Sequence, residues 1–294
     1  MEPQVIIRPP SEANSYLLPV TYGCSNNTCT FCSSYKEMPF RIRPYEDIAE
    51  DIDRVADSYG SQVERVFLEN GDAVIAKQEL LVAVLKHLRE KFSKLERIGT
   101  YSTPRAAIVK TLAELKELHD LGLYIAYLGV ESGDDGILKA VKKGATHDEI
   151  VLAGKKLKEA GIAVSATVIL GLGGVEKSRQ HAEATARTLT EIDPEFGGAL
   201  VLTPKFGTPL YEAIQKGEFH QITPMQTLEE LCIIIEQSNF TDCFFTSNHA
   251  SNYLPIRVRL PQQKEETVKA IRDIINREDE SMLRPSLYRK LGIL

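Results

Sequence analysis

Three cysteines fall within nine residues, Cys24, Cys29 and Cys32, in the run Tyr22-Gly-Cys-Ser-Asn-Asn-Thr-Cys-Thr-Phe-Cys32 that follows a predicted strand. The chain has only two others, Cys232 and Cys243. Thiols crowded in this way read as a metal site in a reducing compartment rather than as a disulfide scaffold. Structural zinc closes four ligands, and the first histidine, His87, is far away in sequence. Three thiolates suit a 4Fe-4S cluster that leaves one iron for a ligand that is not protein. Cys232 and Cys243 do not make a second set of three, so one cluster per chain is expected. Cys232 lies in the apolar run Leu231-Cys-Ile-Ile-Ile235 and reads as a small core residue.

Three further segments place polar groups and glycines at the ends of predicted strands. Leu68-Glu-Asn-Gly-Asp72 is good turn chemistry in itself. It also offers close backbone approach at Gly71 and acceptor oxygens on Asp72. Gly129-Val-Glu-Ser-Gly133 leaves Glu131 at a strand end, either as a ligand for hydroxyl groups or as an exposed acid. Leu170-Gly-Leu-Gly-Gly-Val-Glu176 is a glycine-rich strand end, and its Glu176 reads as a first-turn helix acid. In Asn248, His249, Asn252 and Tyr253, hydrogen-bonding groups stand beside the apolar Phe244, Phe245 and Leu254. Such a mixture suits a ligand pocket, or a loop whose polar groups satisfy turn backbone before Pro255. His249 is the candidate substrate contact or acid/base, because imidazole exchanges protons near neutrality.

The elements that must position these groups alternate short β-rich runs with amphipathic helices, the pattern of parallel βα units. Strands are predicted at Tyr16 to Val20, Val63 to Leu68, Arg97 to Ser102, Tyr124 to Val130, Ala163 to Leu170 and Ala199 to Thr203. Ile48, Ile52, Val55 and Tyr59 predict one helix face, and Leu81, Val84, Leu85 and Leu88 another. Thr146 with Glu149, and Thr223 with Gln226, predict capping boxes. Six βα units are too few for a closed eight-stranded barrel, and periodicity leaves a partial barrel and an open doubly wound sheet both standing. Residues 216–294 change character and predict a mainly helical cap on a core of residues 1–215.

Taken together, the cysteine loop and the strand-end segments make the chain similar to the radical S-adenosylmethionine superfamily over roughly its first 210 residues. Phe31 is the aromatic just before the last cysteine. Four residues separate the first two cysteines, where the commonest family spacing is three. The resemblance implies an α/β fold, a partial (β/α)6 TIM-like barrel with a helical C-terminal extension. It implies Cys24, Cys29 and Cys32 as cluster ligands. S-adenosylmethionine would be held by Phe31, Asn70, Gly71, Asp72, Glu131, Gly171 and Gly173. In such proteins the turn after strand two binds the methionyl amino group, the acid after strand four the sugar, and the loop after strand five flanks the adenine. Reductive cleavage then gives a 5'-deoxyadenosyl radical that abstracts hydrogen from a substrate, here unidentified, with flavodoxin or ferredoxin as electron donor. The core looks most like the branch of oxygen-independent coproporphyrinogen oxidase, elongator-like proteins and methylthiotransferases. The expected class is a redox or rearrangement catalyst. The alternatives are a tetrapyrrole-acting oxidase or methylase, or a cluster-bearing heme or metal chaperone without turnover. No cobalamin-binding domain, RNA-binding module or second three-cysteine set is read in the sequence, which disfavours methylthio transfer and cobalamin-dependent methylation.

Composition bounds the rest. The 294 residues are 43% hydrophobic with a formal net charge of -6 and a sequence pI near 5.7, which argues against a dedicated nucleic-acid binder. No apolar run approaches a membrane span, and the start Met1-Glu-Pro-Gln lacks a signal-peptide pattern, so the expected location is the cytoplasm.

Overall fold

The computed structural model describes residues 7–278 and 280–284, so the first residues and the last ten of the expected cap lie outside the described residues. In chain order the elements begin with β1 (Tyr16–Pro19), β2 (Thr21–Tyr22), β3 (Arg41–Ile42), α1 (Tyr45–Tyr59), β4 (Arg65–Glu69), α2 (Gln78–Lys91) and β5 (Arg97–Ser102). There follow α3 (Pro104–Val109), α4 (Leu112–Asp120), β6 (Leu123–Glu131), α5 (Asp135–Ala140), α6 (His147–Glu159) and β7 (Ala163–Leu170). The chain continues through α7 (Gly174–Ile192), β8 (Phe196–Val201), α8 (Pro209–Gln215) and α9 (Pro224–Gln237) to β9 (Cys243–Thr246), β10 (Arg257–Leu260) and α10 (Lys264–Arg277).

The strand order is β1-β4-β5-β6-β7-β8-β9-β10, with β2 and β3 forming a separate pair. β1/β4, β4/β5, β5/β6, β7/β8 and β8/β9 run parallel, and β10 returns antiparallel to β9. This is an α/β fold of the partial TIM-like barrel class. All six predicted strands are present. β9 and β10 are additions from the C-terminal region. Each is four residues long, too short for its apolar pattern to separate strand from helix.

The chain forms two compact units, one of Met1–Asn27, Ser34–Gly129 and Leu152–Val164, the other of Thr28–Ser33, Val130–Val151 and Ser165–Leu294. In the first, Leu18, Val66, Leu68 and Ile98 are buried on neighbouring strands. Leu81, Val84, Leu85 and Leu88 bury one stripe of α2, at spacings of three and four residues. Each such side chain contributes about 1.5–3 kcal/mol relative to exposure. On α1, Ile48 and Ile52 are buried but Tyr59 is exposed, so the predicted face is shorter than its periodicity implied. The helix ends there, as Gly60 takes a positive φ of 50°.

In the second unit, both faces of the packed pair α7 and α9 carry polar groups inward. His181, Thr185 and Thr188 are buried on α7, and Glu230 is buried on α9 among Leu228, Leu231, Ile234 and Ile235. The capping boxes at Thr146 and Thr223 both form, and Pro224 stands in the first turn of α9.

Candidate cluster and cofactor site

Cys24 and the turn after β4 lie in the first unit. Gly71 donates its N–H to the Gly23 carbonyl at 2.9 Å, which ties that turn to the start of the cysteine loop. A Cβ at Gly71 would stand 2.5 Å from the Cys24 Cβ and 3.0 Å from its Sγ, so only glycine lets the two backbones meet. Asp72 is fully buried. Its carboxylate accepts from the Thr103 N–H at 3.2 Å and the Thr103 hydroxyl at 2.8 Å, and from the hydroxyl of Ser25, the neighbour of Cys24. The acid thereby joins the cysteine loop to the N-terminus of α3, where Thr103 is the cap. Asn70 holds a left-handed φ of 74°, and its Nδ2 is buried with no hydrogen-bond partner among the described residues. A buried amide donor without an acceptor is costly, and a bound ligand's oxygen would satisfy it.

Cys29 and Cys32 lie in the second unit. Their segment is fixed by backbone: Thr30 N–H donates to the Val141 carbonyl at 2.9 Å, and Leu210 N–H donates to the Thr30 carbonyl at 3.0 Å. Phe31 packs on Ile137, Val141, Leu172, Leu202 and Leu210. Leu172 and Leu202 follow β7 and β8, so the segment sits at the C-terminal ends of those strands, where parallel α/β folds assemble sites.

Glu131 closes β6 with a left-handed φ of 63°, a strained conformation for a non-glycine residue. Its Oε1 accepts from Lys143 Nζ at 2.8 Å, both side chains being largely buried. After β7, Gly171 has a φ of 85° and Gly173 caps α7. Glu176 is an exposed acid in the first turn of α7, beside His220.

Sequence reasoning missed Glu230, which lines a cavity of about 500 Å³ together with Ser178, Arg179, Cys232, Glu236 and Arg272. Its carboxylate accepts from the Gly171 N–H and from the Ser178 hydroxyl, both at 2.7 Å. Burial pushes its pKa up to about 7. The signal was present in the sequence: an acid on the apolar stripe of a helix.

His249 lies in the loop between β9 and β10. Its Nδ1 accepts from the Ser251 N–H at 3.2 Å, which leaves the proton of the neutral ring on Nε2. Burial, then the nearby Arg284, pushes its pKa below the ordinary value. The loop is tied to β8: Val201 N–H donates to the Ser251 hydroxyl at 3.2 Å and Asn252 Nδ2 to the Ala199 carbonyl at 2.9 Å. Val201 is the last residue of β8, so this loop also stands at a strand's C-terminal end.

The family model for the radical SAM superfamily matches residues 18–189, more than half of the chain, and the chain belongs to that superfamily. An uncharacterised methyltransferase of Pyrococcus horikoshii is 28% identical over 192 residues, covering 65% of this chain and 40% of the relative. A tRNA-2-methylthio-N(6)-dimethylallyladenosine synthase of Nitrosomonas europaea is 26% identical over 231 residues, covering 75% and 51%. The chain thus spans about half the length, or less, of these curated relatives. Among solved structures, coproporphyrinogen III oxidase from Escherichia coli superposes with a TM-score of 0.55 at 18% identity, covering 74% of this chain and 50% of that one. Methylornithine synthase superposes at 0.53 and 18%, covering 77% and 63%. These likenesses extend to the fold.

The cofactors of the family are a 4Fe-4S cluster and S-adenosylmethionine. Among the described residues, no three His, Cys, Asp or Glu side chains converge as a preformed ligand set. The fit therefore rests on the donors: three thiols outside any disulfide, Cys24 backed by a glycine turn, and the unsatisfied Asn70 donor in that turn. Soft thiolates are the ligands iron-sulfur clusters take. No helix among the described residues is long and apolar enough to cross a membrane.

Proposed function

We propose that this radical SAM enzyme cleaves S-adenosylmethionine reductively to start a hydrogen abstraction from an unidentified substrate, with Cys24, Cys29 and Cys32 as the cluster ligands. The single observation that carries this reading is the Gly71–Cys24 approach, a turn built so closely on a ligand thiol that only glycine fits. Held by Cys24, Cys29 and Cys32, a reduced cluster would supply the electron for reductive cleavage of the sulfonium. The protein's part is to hold and orient. Asp72 acts through Ser25 and Thr103, keeping the cysteine loop on α3, while Asn70 Nδ2 and the Gly71 backbone face the methionyl group. Glu131, steadied by Lys143, accepts from the ribose hydroxyls. Gly171 and Gly173 flank the adenine, and Phe31 packs beside the cluster. Residues 1–215 form the core on this reading and 216–294 the cap, in which neutral His249 contacts substrate or exchanges a proton with it. A flavodoxin or ferredoxin supplies the electron.

A second reading, methyl or methylthio transfer, is favoured by the names of the relatives. Against methylthio transfer stand the two remaining cysteines, Cys232 and Cys243, both buried and short of a second set of three. The test is anaerobic reconstitution, reduction and chromatography of the nucleoside products. Release of 5'-deoxyadenosine, about four irons and four sulfides per chain, and loss of both in Cys24→Ala, Cys29→Ala and Cys32→Ala support the proposal. Stoichiometric zinc with no iron uptake sinks it, and S-adenosylhomocysteine as the main product favours methyl transfer.

A further inference from the structure

We propose that Glu230 is a positioning residue for the cofactor, holding the glycine loop after β7 in the shape that receives the adenosyl part of S-adenosylmethionine. This role rests on the function proposed above, since it takes that loop as the adenine side of the site.

Gly171 has left the β7 ladder at a φ of 85°, so its N–H needs a partner from elsewhere. The partner is a carboxylate 59 residues further along the chain, on α9. The second oxygen of Glu230 takes the hydroxyl of Ser178, in α7, so one side chain clamps the loop and the helix that follows it. His181 continues the arrangement, with Nε2 3.9 Å from Glu230 and donating to the Ile169 carbonyl at 3.0 Å. That fixes Nδ1 as an acceptor, which takes the Ser132 hydroxyl at 2.8 Å, while Ser132 accepts from the Asp134 N–H at 3.1 Å. Ser132 follows Glu131. A run of buried groups therefore joins the loop after β7 to the loop after β6, and Glu230 is its anchor in the C-terminal region.

The charge state of the anchor is what makes the role testable. The groups facing Glu230 are His181 and Arg179 from α7, Glu229 and Glu236 from its own helix, and Arg272 from α10, which is paired with Glu236. His181 is pushed down to about 4 by burial and stays neutral near pH 7, while Glu230 ionises there. An ionised carboxylate accepts both bonds more strongly than the acid form does. A glutamine keeps an acceptor for Gly171 and loses the titration.

The experiment measures S-adenosylmethionine affinity by equilibrium dialysis at pH 6 and pH 8 on reconstituted protein, alongside hydrogen exchange of the peptide spanning Gly171 in cofactor-free protein. Expected are a wild-type affinity that tightens with pH and a Glu230→Gln variant within about threefold of wild type and flat with pH. Glu230→Leu should weaken binding about tenfold and lose protection at Gly171 while keeping its iron. Unchanged affinity and protection in Glu230→Leu overturn the role. So does a Glu230→Gln profile that still follows the wild type, which decides the matter if the leucine variant does not fold. Wild-type protein that binds no S-adenosylmethionine would bring down the function proposed above, and this role with it. Binding that ignores Glu230 brings down the role alone.

Discussion

Asp72 and Glu131 are both acids at the ends of predicted strands, yet the protein surrounds them differently. Asp72 has its oxygens committed to Thr103 and Ser25, so its replacement should act on the cysteine loop rather than on a ligand directly. Asp72→Ala leaves buried donors without an acceptor and should lower unfolding stability by about 2 kcal/mol in urea titration. The iron retained after reconstitution should fall as well. Glu131 has the largely buried Lys143 beside it, and Glu131→Ala takes one of that cation's interactions away. Stability should drop by about 2 kcal/mol, and S-adenosylmethionine should bind roughly tenfold more weakly with iron content unchanged. Equal affinity in the variant would return Glu131 to a structural role. Both acids were legible as candidates because strand-end position is readable from local pattern. Their partners were not, since Thr103 and Lys143 become neighbours only through turns that no spacing rule predicts. The partner of Glu230 was hidden for a similar reason, since Gly171 lies 59 residues away.

At the scale of elements, the turn after β4 and the cysteine loop act as one piece. Gly71→Ala changes no ligand, but the new methyl would overlap the Cys24 Cβ. Iron uptake should therefore collapse although all three cysteines remain, as measured by iron and sulfide content. A fully loaded alanine variant would show that the loop can move aside. Helix ends were the most readable elements, because a capping box is complete within four residues, as at Thr146 and Thr223. Thr223→Ala should cost about 1 kcal/mol of stability. β9 and β10 resisted reading because four residues with alternating burial look alike in many settings, and only pairing with β8 and with each other makes them strands.

For the whole molecule, two buried groups in contact make opposing contributions to the response to pH. Glu230 rises from its ordinary 4.5 to about 7, so its contribution to stability is full below pH 4.5 and is lost as pH climbs to 7. His181 falls from 6.5 to about 4, so its contribution is full above pH 6.5 and is lost as pH falls towards 4. Between 4.5 and 6.5 the two slopes oppose each other, and the wild type should show a flat profile there from this pair. Glu230→Gln removes one slope. Its unfolding free energy should climb with pH relative to wild type, by on the order of 3 kcal/mol across the window; parallel profiles would mean that Glu230 does not titrate in the fold. The strand order has a separate consequence, for behaviour at high concentration. β10 is the terminal strand of the sheet, paired on one side by β9, and its two outward side chains are Arg257 and Arg259. An open edge invites another chain to dock as an added strand; here Gln263 closes part of it, its Oε1 accepting from the Arg259 N–H at 2.8 Å and its N–H donating to the Arg259 carbonyl at 2.9 Å, and the two cations oppose docking along the rest. Replacing both arginines with valine should leave the thermal midpoint nearly unchanged but make the protein scatter light on standing, as copies join edge to edge.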